Sequence, residues 1–473
     1  MKIMFVGSEA TPFAKTGGLA DVLGSLPQEI AKLGHEVSVV LPKHKVIKDK
    51  FYEQLNFIDK TRVEVHTKKE YCGFQSLVKD KITVYFIDNE YYFGYRENLY
   101  GDFDDGERYG FFNHAVIKLM ETLEYYPDIV HLNDWQTGLI PYIIKKSNND
   151  FIKPIKTVFT IHNIAYQGRF DKTVLPYLNV PYSNALEFDG QINFLKTAIV
   201  TADQLLTVSE TYAEELQYAY YGFGMEGLLN ERKNDFTGIM NGINETDFNP
   251  RTDALIAKQY GLQNYLKGKD ENRLHLLNMF HLNDLDKPII GMVSRLTEAK
   301  GFPLLEQSIE PFLKENKIQL IILGNGDQQI ERFFEHLKQK YPKNISMYFG
   351  YSDKIARQVY AGSDFFLMPS RFEPCGLAQL ISLRYGTLPI VRKTGGLRDS
   401  IDPYNRYTDE GNGFAFENYD GKDMANAIEC AIRVYQNKQI FKLLRRRAMK
   451  EDFSWNQSAL KYEALYHKIL GEK

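Results

Sequence analysis

At 473 residues the chain exceeds the ~250–300 at which one hydrophobic core splits, so two domains are expected. Its 58 Lys and Arg against 61 Asp and Glu leave a net charge of −3 with no long run of either sign, which argues against a nucleic-acid or membrane-surface protein. Cys72, Cys375 and Cys430 are an odd, scattered set, neither a disulfide framework nor a zinc cluster, and fit a reducing compartment. Residues 1–7 lack the apolar core of a signal peptide, and no run approaches the ~18 apolar residues of a membrane span. A soluble, cytoplasmic protein is the expectation.

Short apolar runs recur along the first half at 3–6, 37–41, 82–87, 129–132, 157–161 and 205–208, separated by longer amphipathic stretches. This alternation predicts βαβ units around a parallel sheet covered on both faces. The rhythm pauses in the turn-rich segment 241–250 and restarts at 288–293, 320–323, 345–349, 365–368 and 388–391. Two doubly wound α/β domains follow, 1–245 and 246–473. Ser454-Trp455-Asn456-Gln457 reads as a capping box opening a terminal helix over 454–471, with Leu460, Leu465, Tyr466 and Ile469 as its apolar stripe and a capacity to pack back on the first domain. Ligands of open α/β sheets bind outside the carboxyl ends of the strands. The polar residues expected there are Glu9, Lys15, Asp134, His162, Ser209, Arg295, Lys300 and Glu373, and two such ends facing each other would form a deep cleft.

One phrase occurs twice with a single change: Lys15-Thr16-Gly17-Gly18-Leu19-Ala20-Asp21 and Lys393-Thr394-Gly395-Gly396-Leu397-Arg398-Asp399. Paired glycines leave backbone N–H groups free to approach an anion, the lysine adds charge, and a following helix start favours phosphate. The plain alternative is a glycine turn joining strand to helix. The copies sit at different places in their halves, so similar chemistry rather than tandem repetition is the inference.

Arg295 and Lys300 stand five positions apart after the first strand of the second domain, where they would stabilise charge on a departing phosphate; a solvated helix start is the alternative. Glu373, before Pro374, is placed to accept hydrogen bonds from sugar hydroxyls, and the amides of Gly376 and Leu377 to face phosphate, although Glu373 could equally cap its helix. Cys375 reads as a small packed thiol, with no neighbour in sequence to activate it. His162 ends one apolar strand and the His131–Asp134 phrase another, either as satisfied structural groups or as cleft residues. Segment 91–105 is dense in aromatic and acidic residues, fit for sugar C–H faces or for stapling a loop; Asp102-Phe103-Asp104 alone is a poor metal clasp.

Together these phrases resemble the bacterial glycogen synthases and plant starch synthases, and the resemblance spans almost the whole chain: 15–21, 91–105, 131–138, 160–168, 241–244, 294–301, 370–377 and 393–399, in order. It implies a GT-B glycosyltransferase that extends an α-1,4-glucan (glycogen) from ADP-glucose with retention of configuration, without cofactor or metal. It implies that Lys15, Gly17 and Gly18 contact the nucleotide sugar and that Arg295 and Lys300 hold its diphosphate. Glu373, Cys375, Gly376 and Leu377 would line the glucose and phosphate pocket beside Thr394, Gly395 and Gly396. His162 would meet the glucose near the scissile bond, Asp134, Asn163 and Asn241 would support donor or acceptor, and Glu9, Asp21 and Tyr95 rank second. Related retaining transferases often carry a second glutamate eight positions after the first. Here that position is Ile381, which excludes a mechanism with two carboxylates in that helix. The competing expectations are a UDP-glucose-dependent transferase of the same fold and a non-catalytic glucan- or nucleotide-binding module. Oligomeric state is not legible.

Overall fold

The computed structural model describes residues 1–471, in two units: Met1–Asn241 with the C-terminal segment from Trp455, and Gly242–Ser454. Among the described residues no helix is long and apolar enough to cross a membrane.

Unit 1 is built on nine strands, β1 (Lys2–Val6), β2 (Glu36–Pro42), β3 (Asn56–Val65), β4 (Lys68–Lys79), β5 (Ile82–Asp88), β6 (Ile129–Asn133) and β7 (Lys156–Ile161), then, after the short antiparallel trio β8 (Arg169–Phe170), β9 (Glu187–Phe188) and β10 (Gln191–Asn193), β11 (Gln204–Thr207) and β12 (Phe236–Gly238). The main sheet runs β12-β11-β7-β6-β1-β2-β5-β4-β3 and is parallel except at the β5-β4-β3 edge. Strands β1, β6 and β7 are buried on both faces, which is why each reads as a continuous apolar run. The chain fills the sheet from β1 outward through β2 to β5, then returns to β6 on the other side of β1. That reversal puts a topological switch point at the carboxyl ends of β1 and β6.

Unit 2 repeats the plan with β13 (Ile289–Val293), β14 (Gln319–Gly324), β15 (Ile345–Phe349), β16 (Phe365–Met368), β17 (Leu388–Arg392) and β18 (Phe414–Phe416), all parallel in the order β15-β14-β13-β16-β17-β18. Its switch point lies at the carboxyl ends of β13 and β16. Each strand expected from the apolar rhythm is present. The added ones carry no such signal: β3 is mostly exposed and alternates charged residues such as Lys60, Arg62 and Glu64.

The division falls at 241/242 rather than 245/246, because Ile243 already belongs to unit 2. Its amide donates to the Phe453 carbonyl at 2.8 Å, and its side chain lies in the core of that unit. The helix Trp455–Leu470 packs on unit 1, where Trp455, Ala459, Tyr462, Leu465 and Tyr466 join Ile3, Phe5, Leu26 and Ile30 in one core. Leu460, expected on the apolar stripe, is instead 44% exposed; Ala459 and Tyr462 take the inward positions. Tyr466 is fully buried and its hydroxyl lies 2.6 Å from His131 Nδ1, tying the helix to β6.

Tyr466→Ala removes that buried ring and its hydrogen bond, and should cost about 3–5 kcal/mol, seen as a lowered thermal midpoint of the unit 1 transition. Tyr466→Phe keeps the ring and should cost only about 1–3 kcal/mol, the loss of a buried partner for His131.

Candidate active site

In unit 2 the loops after β13 and β16 are locked together. Gly301 has φ +81, and a Cβ there would lie 1.9 Å from the Pro369 carbonyl oxygen, so only glycine lets the 298–301 turn approach the 369–373 loop. Arg371 N–H donates to the Ala299 carbonyl at 2.9 Å, and Arg371 Nη1 to Glu298 Oε1 at 2.7 Å. Behind them Arg392 donates to the carbonyls of Ser370 at 2.9 Å and Arg371 at 2.6 Å. Thus positioned, Lys300 Nζ meets Glu373 Oε1 at 2.9 Å and Oε2 at 2.7 Å, and Ser370 Oγ donates to Oε2 at 2.9 Å. Glu373 is 6% exposed, a carboxylate held by one cation and one hydroxyl. A cavity of about 150 Å³ at this switch point is lined by Arg295, Lys300, Ser370, Glu373, Gly376 and Leu377, among others. Arg295 is exposed there. Another cavity of unit 2, about 500 Å³, is lined by residues of 307–317 and 421–429. Its Lys317 is paired with Glu315 at 2.8 Å and Glu429 at 2.9 Å.

The two diglycine phrases turn out to differ. At the second, a Cβ on Gly395 would stand 2.1 Å from the Glu373 carbonyl oxygen and one on Gly396 2.2 Å from that of Cys375. Gly396 N–H is held by the Glu373 and Pro374 carbonyls, both at 3.2 Å. Those glycines, with buried Thr394, serve backbone packing behind Glu373, which corrects the expectation of a free amide cradle there for Gly396. At the first phrase, a Cβ on Gly17 would meet only Glu9 Oε1, at 3.7 Å, and one on Gly18 would meet nothing within 4 Å. Gly17 has an extended backbone that any residue adopts. Gly17 is the N-cap of the helix Gly18–Lys32, a position glycine suits, and no packing contact demands glycine at either site.

That first loop is organised by Glu9. Its carboxylate accepts from Thr16 N–H and, at 2.8 Å, from Thr16 Oγ1, which also contacts the Tyr100 hydroxyl. Burial raises the Glu9 pKa; hydrogen bonds from Thr16 and Gly17 oppose the rise and the Asp21 charge adds to it. Lys15 Nζ pairs with Asp21 at 2.6 Å and 2.8 Å near the surface.

The loops after β6 and β7 meet at Asp134 and His162. Asp134 adopts φ +57, ψ 177, a region that essentially only glycine occupies without strain. There its Oδ1 accepts the His162 N–H at 2.8 Å. Burial raises the Asp134 pKa to about 7, against hydrogen bonds from His162 and Asn163 and with help from the Glu9 charge. The ring nitrogen Nε2 of His162 is 2.9 Å from Asn133 Oδ1. Asn133 Nδ2 donates to the carbonyls of Val6 and His131, so its Oδ1 must accept, and the proton of His162 sits on Nε2. Burial lowers the His162 pKa to about 3, so the ring is neutral at physiological pH.

Other expected residues fall as follows. Asn163 Oδ1 accepts the Ala165 N–H at 3.0 Å in a local turn. Asn241 is buried, and among the described residues its Oδ1 has no hydrogen-bond partner. Tyr95 is 71% exposed with Lys48 over its ring. The carboxylates of 102–105 face Arg96 and Arg108, for example Arg108 to Asp102 at 2.7 Å, so they staple the aromatic loop. Ser209 caps the helix Glu210–Glu215, and Cys375 is buried as a packed thiol. Ile381 is part of the unit 2 core. Sequence reasoning missed three positioning residues, Asn133, Ser370 and Arg392. Their only signal was adjacency to the motifs.

Residues 2–231 match the family model for the starch synthase catalytic domain, and residues 278–443 that for glycosyl transferases group 1. The chain is 44% identical to the glycogen synthase of Acholeplasma laidlawii, with 100% of each chain covered. It belongs to the glycogen and starch synthase family. Members from Clostridium perfringens, at 45% identity over 99% of this chain and 98% of theirs, and Anoxybacillus flavithermus, at 42% over 99% and 98%, are also similar. Among solved structures, the catalytic domain of starch synthase IV from Arabidopsis thaliana bound to ADP and acarbose superimposes with a TM-score of 0.90 at 30% identity, covering 99% of both chains. A sucrose-phosphate synthase from Thermosynechococcus elongatus, TM-score 0.62 at 17% identity over 99% of both chains, shares the fold. The chain is thus a glycosyltransferase of the GT-B fold, built of two α/β units.

The Asp134 shift has a stability consequence. A carboxyl whose folded pKa is about 7 against 3.8 unfolded contributes stability below pH 4 that is lost as pH rises toward 7. Asp134→Asn keeps an acceptor oxygen and the same backbone strain while removing the titrating group. The thermal midpoint of this variant minus that of the wild type should therefore grow from pH 5 to pH 7 and level off above; a difference independent of pH would contradict the assignment.

Proposed function

We propose that this glycosyltransferase transfers glucose from ADP-glucose to the non-reducing end of an α-1,4-glucan with retention of configuration, in the cytoplasm. The observation that carries this reading is the unit 2 cavity, where Arg295, Lys300 and Glu373 converge at a topological switch point. Two cations and one carboxylate suit a sugar diphosphate: the cations take the phosphates and the carboxylate takes the sugar hydroxyls. The starch synthase IV relative was solved with ADP and acarbose, a nucleotide diphosphate and a sugar-like ligand, which supports the same reading here.

In the proposed step the bond from C1 to the phosphate oxygen breaks while the acceptor 4-hydroxyl forms its bond to C1 on the same face. The hydroxyl proton passes to the departing phosphate oxygen. Arg295 and Lys300, fixed in advance, stabilise the negative charge that grows on the leaving group. Glu373 retains lone pairs for glucose hydroxyls beyond those engaged by Lys300 and Ser370. The Lys15 loop, with no side chain crowding Gly17 or Gly18, is accessible to a ligand, and the buried Asn241 Oδ1 is an acceptor for a ligand hydroxyl. His162 holds its proton on Nε2 toward Asn133, so its role is hydrogen bonding through a neutral ring rather than proton delivery. The core position of Ile381 supports a mechanism without a second carboxylate in that helix.

Lys300→Ala should lower kcat for glucosyl transfer to glycogen by about 10²–10³-fold with an unchanged circular dichroism spectrum, and near-normal turnover would refute the role. Side by side on glycogen, ADP-glucose should give a higher kcat/KM than UDP-glucose. The reverse order would move the donor to the uridine nucleotide, and glucan binding without product would make the chain a non-catalytic module.

A further inference from the structure

We propose that unit 1 carries a structural transition-metal site formed by His35, Glu463 and His467, suited to Zn²⁺. Glu463 and His467 are four residues apart on the helix Trp455–Leu470 and so share a face. His35 lies on the turn between the helix Gly18–Lys32 and β2. One ligand atom from each residue lies within 4.8 Å of the other two. His35 Nε2 is 2.9 Å from Glu463 Oε1, and the two imidazole rings are 6.2 Å apart.

These separations suit a shared ion. With metal–ligand bonds of ~2.0–2.2 Å in a tetrahedron, ligand atoms stand about 3.3 Å apart, so the His35–Glu463 pair is near that spacing. A small rotation of the half-buried His467 side chain completes the set. Nδ1 of His35 lies 3.4 Å from the Met1 amino nitrogen, which leaves Nε2 as the nitrogen aimed at Glu463. His35 is only 9% exposed and Glu463 26%, so the site is partly dry and its fourth position opens to water. Two imidazoles and one carboxylate select zinc, cobalt or nickel over magnesium or calcium.

The site differs in place from the transfer chemistry. His35 precedes β2, at the amino edge of the sheet, whereas the loops of Lys15, Asp134 and His162 leave the carboxyl edge. An ion there would clip the terminal helix to the first helix and sheet of unit 1, adding stability by mass action.

The test uses untagged full-length protein stripped with chelator and titrated with ZnCl₂ by calorimetry, with CoCl₂ followed by visible absorption. Wild type should bind one equivalent of zinc with a rise in thermal midpoint, and cobalt should give the absorption of a low-coordinate nitrogen–oxygen site. MgCl₂ should give no heat. His467→Ala and Glu463→Gln should each weaken zinc binding by at least about tenfold while the circular dichroism spectrum stays the same, and the exposed His281→Ala should not. Equal zinc affinity in wild type and the two site variants, or no binding by wild type, would overturn the proposal.

Discussion

A carboxylate buried to 6% exposure needs a cation, and Glu373 has Lys300 at 2.7 Å. Much of the local backbone in unit 2 serves this pairing. Gly301 lets the lysine turn reach the loop after β16, Arg392 holds that loop from behind, and Gly395 and Gly396 permit the next helix to press against the Glu373 and Cys375 carbonyls. With Arg295 beside them, the cavity holds two cations against one carboxylate and so favours a second, larger anion. A diphosphate joined to a sugar meets both halves of that arrangement.

Unit 1 uses a different balance. Its switch point gathers Glu9 and Asp134, whose pKa values are raised, around a histidine held neutral. The strained Asp134 backbone is accompanied by hydrogen bonds that its carboxylate accepts from the His162 and Asn163 amides in the loop after β7. The result is a surface rich in hydrogen-bonding groups for hydroxyls, in contrast to the cationic cavity of unit 2.

Much of this was legible in the sequence because buried parallel strands write themselves as apolar runs, and because polar residues directly after such runs lie at carboxyl ends whatever the strand order. Arg295, Lys300 and Glu373 were found that way. What escaped has a physical cause in each case. The β3–β4 hairpin lies at a sheet edge and carries charge, so no apolar run marks it. Leu460 and Tyr462 exchanged places because several residues of that helix could have formed its inner face. The repeated diglycine phrase suggested one chemistry, but identical letters stand uncrowded at a helix start at Gly17 and Gly18 and in close packing at Gly395 and Gly396. Asn133 and Arg392 act through partners distant in sequence, and Ser370 through Glu373 three residues on, a contact that only the folded loop reveals.

The account rests on the claim that Arg295 and Lys300 bind the diphosphate of the donor. Calorimetric titration of ADP into the wild type and into Arg295→Ala and Lys300→Ala tests it without dependence on turnover. The account predicts that each variant binds ADP at least about tenfold more weakly, the loss of a charge-assisted contact of about 1.5–3 kcal/mol. Unchanged ADP affinity in both variants would contradict it.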